Sequence, residues 1–216
     1  VVDDIYPYKQ RKVAILNGAH TALVPLAYMA GIDAVGEAMD DELFSKYVEK
    51  LMFDEIIPTL NLPKNELEQF ALDVIKRFKN PYIHHLLISI SLNSMTKFHT
   101  RILPQLLTYV EKQQQVPRLM AHAIAGQILM YRGIRNDQKI ELSDSEQWMS
   151  LFNDVWHQHE AGAINTVQLV QAVLGADWHW EQDLNKVSGL TDAVSNSLEA
   201  FLEDGVRTVL TQYLEA

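Results

Sequence analysis

The chain has 216 residues, 48% of them hydrophobic and 21% charged, with 9 Gly, 7 Pro and no Cys. This is a globular composition long enough to bury a core. It excludes disordered and fibrous classes, disulfides, cysteine–zinc sites and thiol nucleophiles. Lys plus Arg is 18 and Asp plus Glu is 28, a net charge of −10, which argues against nucleic acid or an anionic membrane as partner, since both select basic patches.

The longest uncharged apolar stretch, about residues 21–32, is shorter than the ~20 residues that cross a bilayer. No secretory cleavage pattern follows Lys9, Arg11 and Lys12. The lack of cysteine fits a reducing, cytoplasmic setting. The chain opens on Val1 rather than Met, which suggests a processed or truncated product.

In chain order the pattern is helical almost throughout. Val13, Leu16, Ala19, Leu23, Leu26, Ala27 and Ala30 recur at helical spacing, and Gly31 supplies a stop. Asp40 or Asp41 caps a second helix carrying Phe44, Tyr47, Val48 and Leu51. A third starts near Asn65 with Glu66 and Glu68 in its first turn. Asn80-Pro81 breaks the pattern, because a residue before proline resists helical geometry. Further helices are predicted over about 81–91, 104–112, 117–131, 143–157, 165–174 and 190–214, with a polar loop at 133–142. Strand signals are weak. The reading is an all-α chain forming one multi-helix domain, residues 1–216.

The chain contains no Gly-x-Gly-x-x-Gly turn and no P-loop. It therefore shows no phosphate-cradling element of its own. The informative segment is Gln10-Arg11-Lys12-Val13-Ala14-Ile15-Leu16-Asn17-Gly18-Ala19-His20-Thr21. On an α-helix with Lys12 at zero, Asn17 falls near ~140° and His20 near ~80°, so all three share one arc. An amine, an amide and an imidazole on one patch suit carbonyl chemistry: proton transfer, oxyanion stabilisation and substrate orientation. Spacing alone fits a solvated face as well, or a helical interaction domain without catalysis.

Lys12, Asn17 and His20 in this frame resemble the signature of the polyol-specific long-chain dehydrogenases and reductases. The wording Leu16-Asn17-Gly18-Ala19-His20-Thr21, with Tyr28-x-x-Gly31 after it, is most similar to the branch that reduces tagaturonate. A second block agrees: Arg77-Phe78-x-Asn80-Pro81-x-Ile83, then Lys97-x-x-x-Arg101-Ile102-Leu103-Pro104. The resemblance implies a helical C-terminal domain whose partner is a Rossmann-type, NAD-binding domain outside these residues. It implies that Lys12 is the general acid–base, that Asn17 polarises the carbonyl, that His20 orients the substrate, and that Lys97 binds it. The implied reaction interconverts tagaturonate and altronate without a metal. Other family members act on fructuronate or mannitol.

One position departs from the family pattern. Mannitol-oxidising members carry a substrate arginine eight residues before the lysine at Lys97, and this chain has Ser89 there. A uronate still needs a cation for its carboxylate, and Arg101, Lys97 and His84 are the candidates. Apolar Ile15 and Leu16, and cationic Lys9 and Arg11, are expected to favour a neutral Lys12. His157-Gln158-His159-Glu160 lacks the zincin spacing and reads as a polar helix end. Trp178-His179-Trp180 reads as packing or a domain contact.

Overall fold

The computed structural model describes residues 6–80, 82 and 84–215. Val1, Pro81 and Ile83, named above, lie outside them. Helix α1 (Tyr6–Arg11) runs through a π-helical stretch, Lys12–Gly18, into α2 (Ala19–Met29). There follow α3 (Val35–Asp40), α4 (Glu42–Lys50), a second π-helical stretch at Leu51–Ile56, and α5 (Lys64–Phe78). Then come α6 (Leu87–Ile90), α7 (Ser94–Arg101), α8 (Leu103–Gln113) and α9 (Arg118–Met130). Strands β1 (Ile134–Arg135) and β2 (Gln138–Lys139) form a small antiparallel hairpin. The chain ends with α10 (Glu146–Glu160), α11 (Thr166–Leu174), α12 (Asp177–Trp180), α13 (Leu190–Asp204) and α14 (Val206–Glu215).

Local chemistry sets many of these ends. Asp41 caps α4 by accepting from Leu43 N–H at 3.0 Å and Phe44 N–H at 3.4 Å. Ser145 caps α10, and Asn165 and Gln168 form a capping box on α11. Gly31 ends α2 in a left-handed conformation, with Ile32 N–H donating back to Ala27 O.

Three expectations are corrected. The helix predicted over 190–214 is two, because Gly205 at φ +80° breaks it. The predicted loop at 133–142 contains the hairpin, turned by Asn136 and Asp137 at positive φ, the backbone of a tight two-residue turn. The helix predicted over 81–91 shrinks to α6, because Leu86 is extended and bridges Ala34.

At the centre lies α9, buried on every side from Leu119 to Met130. A helix that is apolar all round belongs inside a layer of others, and α9 packs against both α2 and α13. Gly126 makes the α2 contact close: a Cβ there would stand 2.6 Å from Leu26 Cδ2. Trp148 and Trp180 are core residues, and the Trp180 Nε1–H donates to Val173 O at 2.8 Å. Trp178 remains half-exposed beside Trp148, at 4.7 Å between ring centroids. Among the described residues no helix is long and apolar enough to cross a membrane.

His122 faces Phe201 and Tyr213 from α9, and neither ring nitrogen has a hydrogen-bond partner among the described residues. Burial, and secondly the Arg118 charge, lower its pKa to about 4 from 6.5. Between those values the unfolded chain binds the proton that the folded ring refuses. Stability is therefore full above pH 6.5 and falls as the pH drops toward 4. His122→Leu is expected to shrink the loss of urea stability between pH 7 and pH 4.5. An unchanged pH slope would show that His122 is not a source of the acid sensitivity.

Candidate active site

The Lys12–Gly18 stretch is the structural surprise. Its hydrogen bonds close on the fifth residue rather than the fourth. Lys12 and Asn17 are five residues apart. The widened turn swings Asn17 toward Lys12, where α-geometry would leave them ~140° apart. His20 follows one α-turn later on α2. All three line one cavity of about 320 Å³, together with Leu16, Val35, Arg77, Phe78 and His85.

Neighbouring groups hold the widened turn. The Thr21 hydroxyl donates to the Asn17 carbonyl at 2.8 Å, and Arg101 Nη1–H donates to Thr21 Oγ1 at 3.2 Å. Gly18 lies against the end of α7: a Cβ on it would touch the Arg101 carbonyl at 3.4 Å, an ordinary contact. No side-chain hydrogen bond commits the Asn17 amide among the described residues. Thr21→Val keeps the shape but deprives the Arg101 guanidinium of its acceptor in a buried place. The expected cost is about 1–2 kcal/mol in urea unfolding. A loss below about 0.5 kcal/mol would mean that the guanidinium is satisfied without Thr21.

His20 stacks on Phe78 with centroids 4.4 Å apart and planes 13° from parallel. Its Nε2 is buried without a hydrogen-bond partner among the described residues. Burial first, then the charges of His85, Arg101 and Lys97, lower its pKa to about 4. At neutral pH it is a neutral imidazole, able to donate from one nitrogen and accept at the other. Lys12 is exposed at the edge of the cavity.

The remaining sequence-predicted residues divide. Lys97 and Arg101 lie on α7 behind His20, close enough for their charges to act on it. Neither lines the cavity. Lys97 Nζ donates to Ile90 O at 2.6 Å, and burial, with the Arg101 charge second, lowers its pKa. Burial likewise lowers the Arg101 pKa. His84 is exposed and is not among the lining residues. Its neighbour His85 takes that place, with its ring 6.1 Å from His20. The Ala34–Leu86 bridge sets this choice: Val35 N–H donates to His85 O at 2.9 Å and Leu87 N–H to Asp33 O at 2.8 Å. Sequence reasoning chose His84 of the His84-His85 pair where His85 lines the cavity, and it missed Phe78 as the stacking partner of His20.

A larger depression of about 790 Å³ lies between the β-hairpin and α10. It holds none of Lys12, Asn17 and His20. Two of its charges, Arg132 and Glu160, satisfy each other at 2.9 Å. The smaller cavity is the better candidate, because uncommitted polar groups converge there.

The chain belongs to the mannitol dehydrogenase C-terminal domain family, whose model matches residues 4–202. Among curated relatives it is 53% identical over 207 residues to the altronate oxidoreductase of Shigella flexneri, covering 96% of this chain and 43% of that protein. It is 52% identical over 212 residues to the altronate oxidoreductase of an Enterobacter species, covering 98% and 44%. The chain thus spans less than half the length of the curated relatives it matches. In fold it is similar to Pseudomonas fluorescens mannitol 2-dehydrogenase, solved as a ternary complex with NAD and D-mannitol. That match has a TM-score of 0.87 at 21% identity and covers 99% of this chain and 42% of that one. A D-sorbitol dehydrogenase matches with a TM-score of 0.73 at 18% identity, covering 97% of this chain and 41% of that one.

Proposed function

We propose that this domain supplies the proton-transfer and substrate-holding residues of an NAD-dependent oxidoreductase that interconverts tagaturonate and altronate. The observation that carries the reading is the convergence of Lys12, Asn17 and His20 on one cavity through the π-helical turn. The relatives named altronate oxidoreductase support the choice of substrate.

The described residues offer no glycine-rich phosphate turn, and their only strands are two residues long. They do not fit a dinucleotide, and in this reading a Rossmann-type domain elsewhere in the protein holds it. The nicotinamide would supply hydride to the ketone carbon. The roles assigned to this chain concern the oxygen. Asn17 donates its side-chain N–H to the carbonyl oxygen as negative charge develops there. Lys12 Nζ gives that oxygen a proton and is left a neutral amine, and in the reverse direction it takes the proton back. Neutral His20 holds a substrate hydroxyl, and its stacking on Phe78 fixes the ring. Lys97 and Arg101 place positive charge behind it, and His84 stands outside the cavity lining.

The test is NADH oxidation by the full-length protein with tagaturonate, fructuronate and fructose side by side. Preference for tagaturonate is expected, and the 216 residues alone are expected to turn over none of them. Preference for another ketose would move the substrate and keep the roles. Activity with none would return the Lys12 patch to a plain surface.

A further inference from the structure

The cavity beside Lys12 has an unusual charge for this protein. The chain carries 28 acidic and 18 basic residues, yet among the described residues no carboxylate lines this cavity. Its polar lining is Lys12, Asn17, His20, Arg77 and His85. In an acidic chain such a lining is a local positive field, which concentrates an anionic ligand. Lys12, Asn17 and His20 come from one continuous helical run. Arg77 comes from the last turn of α5, and His85 from the segment pinned by the Ala34–Leu86 bridge. The polar groups therefore form two sets on different elements.

The Arg77 side chain is exposed and makes no hydrogen bond or ion pair among the described residues. It follows directly on the wall that His20 uses, since Phe78 beside it is the stacking partner. The other two cations near His20 are partly engaged, Lys97 with Ile90 O and Arg101 with Thr21 Oγ1. A six-carbon keto-uronate has its carboxylate at one end and its ketone toward the other, so a site for it needs two separated polar sets. A planar guanidinium grips a carboxylate through two parallel N–H donors, and an imidazole N–H beside it adds a third.

We propose that Arg77 and His85 form the carboxylate subsite of this cavity, and so set its preference for an acid sugar over a neutral one. The inference rests on the reading of Lys12, Asn17 and His20 as the carbonyl end. A phosphate of the dinucleotide has the same chemistry as a ligand, and the experiment separates the two.

In the full-length protein, Arg77→Met and His85→Gln are compared with wild type. The measurements are the KM for tagaturonate, the KM for NADH, and inhibition by altronate and by altritol, its neutral counterpart. Arg77→Met is expected to raise the tagaturonate KM about 10–100-fold, with a smaller change in kcat. It should cut the preference for altronate over altritol at least about tenfold, and Arg77→Lys should recover part of it. His85→Gln should move both readouts in the same direction by less. An unchanged altronate-to-altritol preference in both variants would overturn the subsite while leaving the wild-type activity reading intact. A rise confined to the NADH KM would assign these groups to the cofactor and overturn it too. A wild-type protein that reduces neutral ketoses and not tagaturonate would sink the uronate reading, and the subsite with it.

Discussion

Lys12→Ala in the full-length protein is expected to lower kcat by about 10²–10⁴, the range general acid–base groups supply. The loss should fall on kcat and kcat/KM together, because the proton matters at the transition state and little in ground-state binding. Stability should hardly change: Lys12 is exposed and no ion pair of the described residues includes it. The truncated side chain leaves room, so small primary amines in solution should restore part of the rate. The rescue should grow with the fraction of amine in the form that the reaction direction needs. A loss of less than tenfold, or a loss that follows unfolding, would rule Lys12 out as the acid–base. The rescue also separates Lys12 from a residue that merely shapes the turn, because added amine cannot repair a helix.

Much of the fold was legible because its signals are local. Asp41, Ser145 and Asn165 cap helices through their own side chains, and Gly31 ends α2 through its own φ. The apolar stripes of α4, α5 and α13 report burial directly. The π-helical stretch at Lys12–Gly18 had no such signature. Its residues are those of an α-helix, and the groups around the widened turn come from α7, through Arg101 at Thr21 and at Gly18. Projection at α-spacing put Lys12, Asn17 and His20 on one arc, and the three line one cavity. It misjudged how near Asn17 comes to Lys12. His85 was hidden for a related reason: its facing depends on the Ala34–Leu86 bridge between distant segments. The same holds for Thr21, an ordinary helix residue in sequence that connects Arg101 to the Asn17 carbonyl in space.

Glu55→Ala is expected to cost the largest stability of any single polar change. Glu55 lies in the second π-helical stretch, 5% exposed, and both its oxygens are engaged. Oε1 accepts from Leu119 N–H at 2.7 Å and Oε2 from Met120 N–H at 2.9 Å. These are two of the free donors in the first turn of α9, the central helix, whose N-cap is Pro117 and so makes no side-chain cap. Removing the carboxyl leaves two buried N–H groups without an acceptor, about 3–5 kcal/mol in all. That is a large share of the ~5–15 kcal/mol that holds a domain together. Glu55→Gln keeps one acceptor and should lose less. The pH dependence has a definite sign. Burial raises the Glu55 pKa to about 7 from 4.5, against the pull of the two N–H donors. The folded state keeps a proton that the unfolded chain releases, so the Glu55 contribution is full below pH 4.5 and declines as the pH rises through 7. The cost of Glu55→Ala should therefore be larger at pH 5 than at pH 8 in urea unfolding. An equal cost at both values would mean that the carboxyl titrates alike in the folded and unfolded chains, and that burial does not raise it.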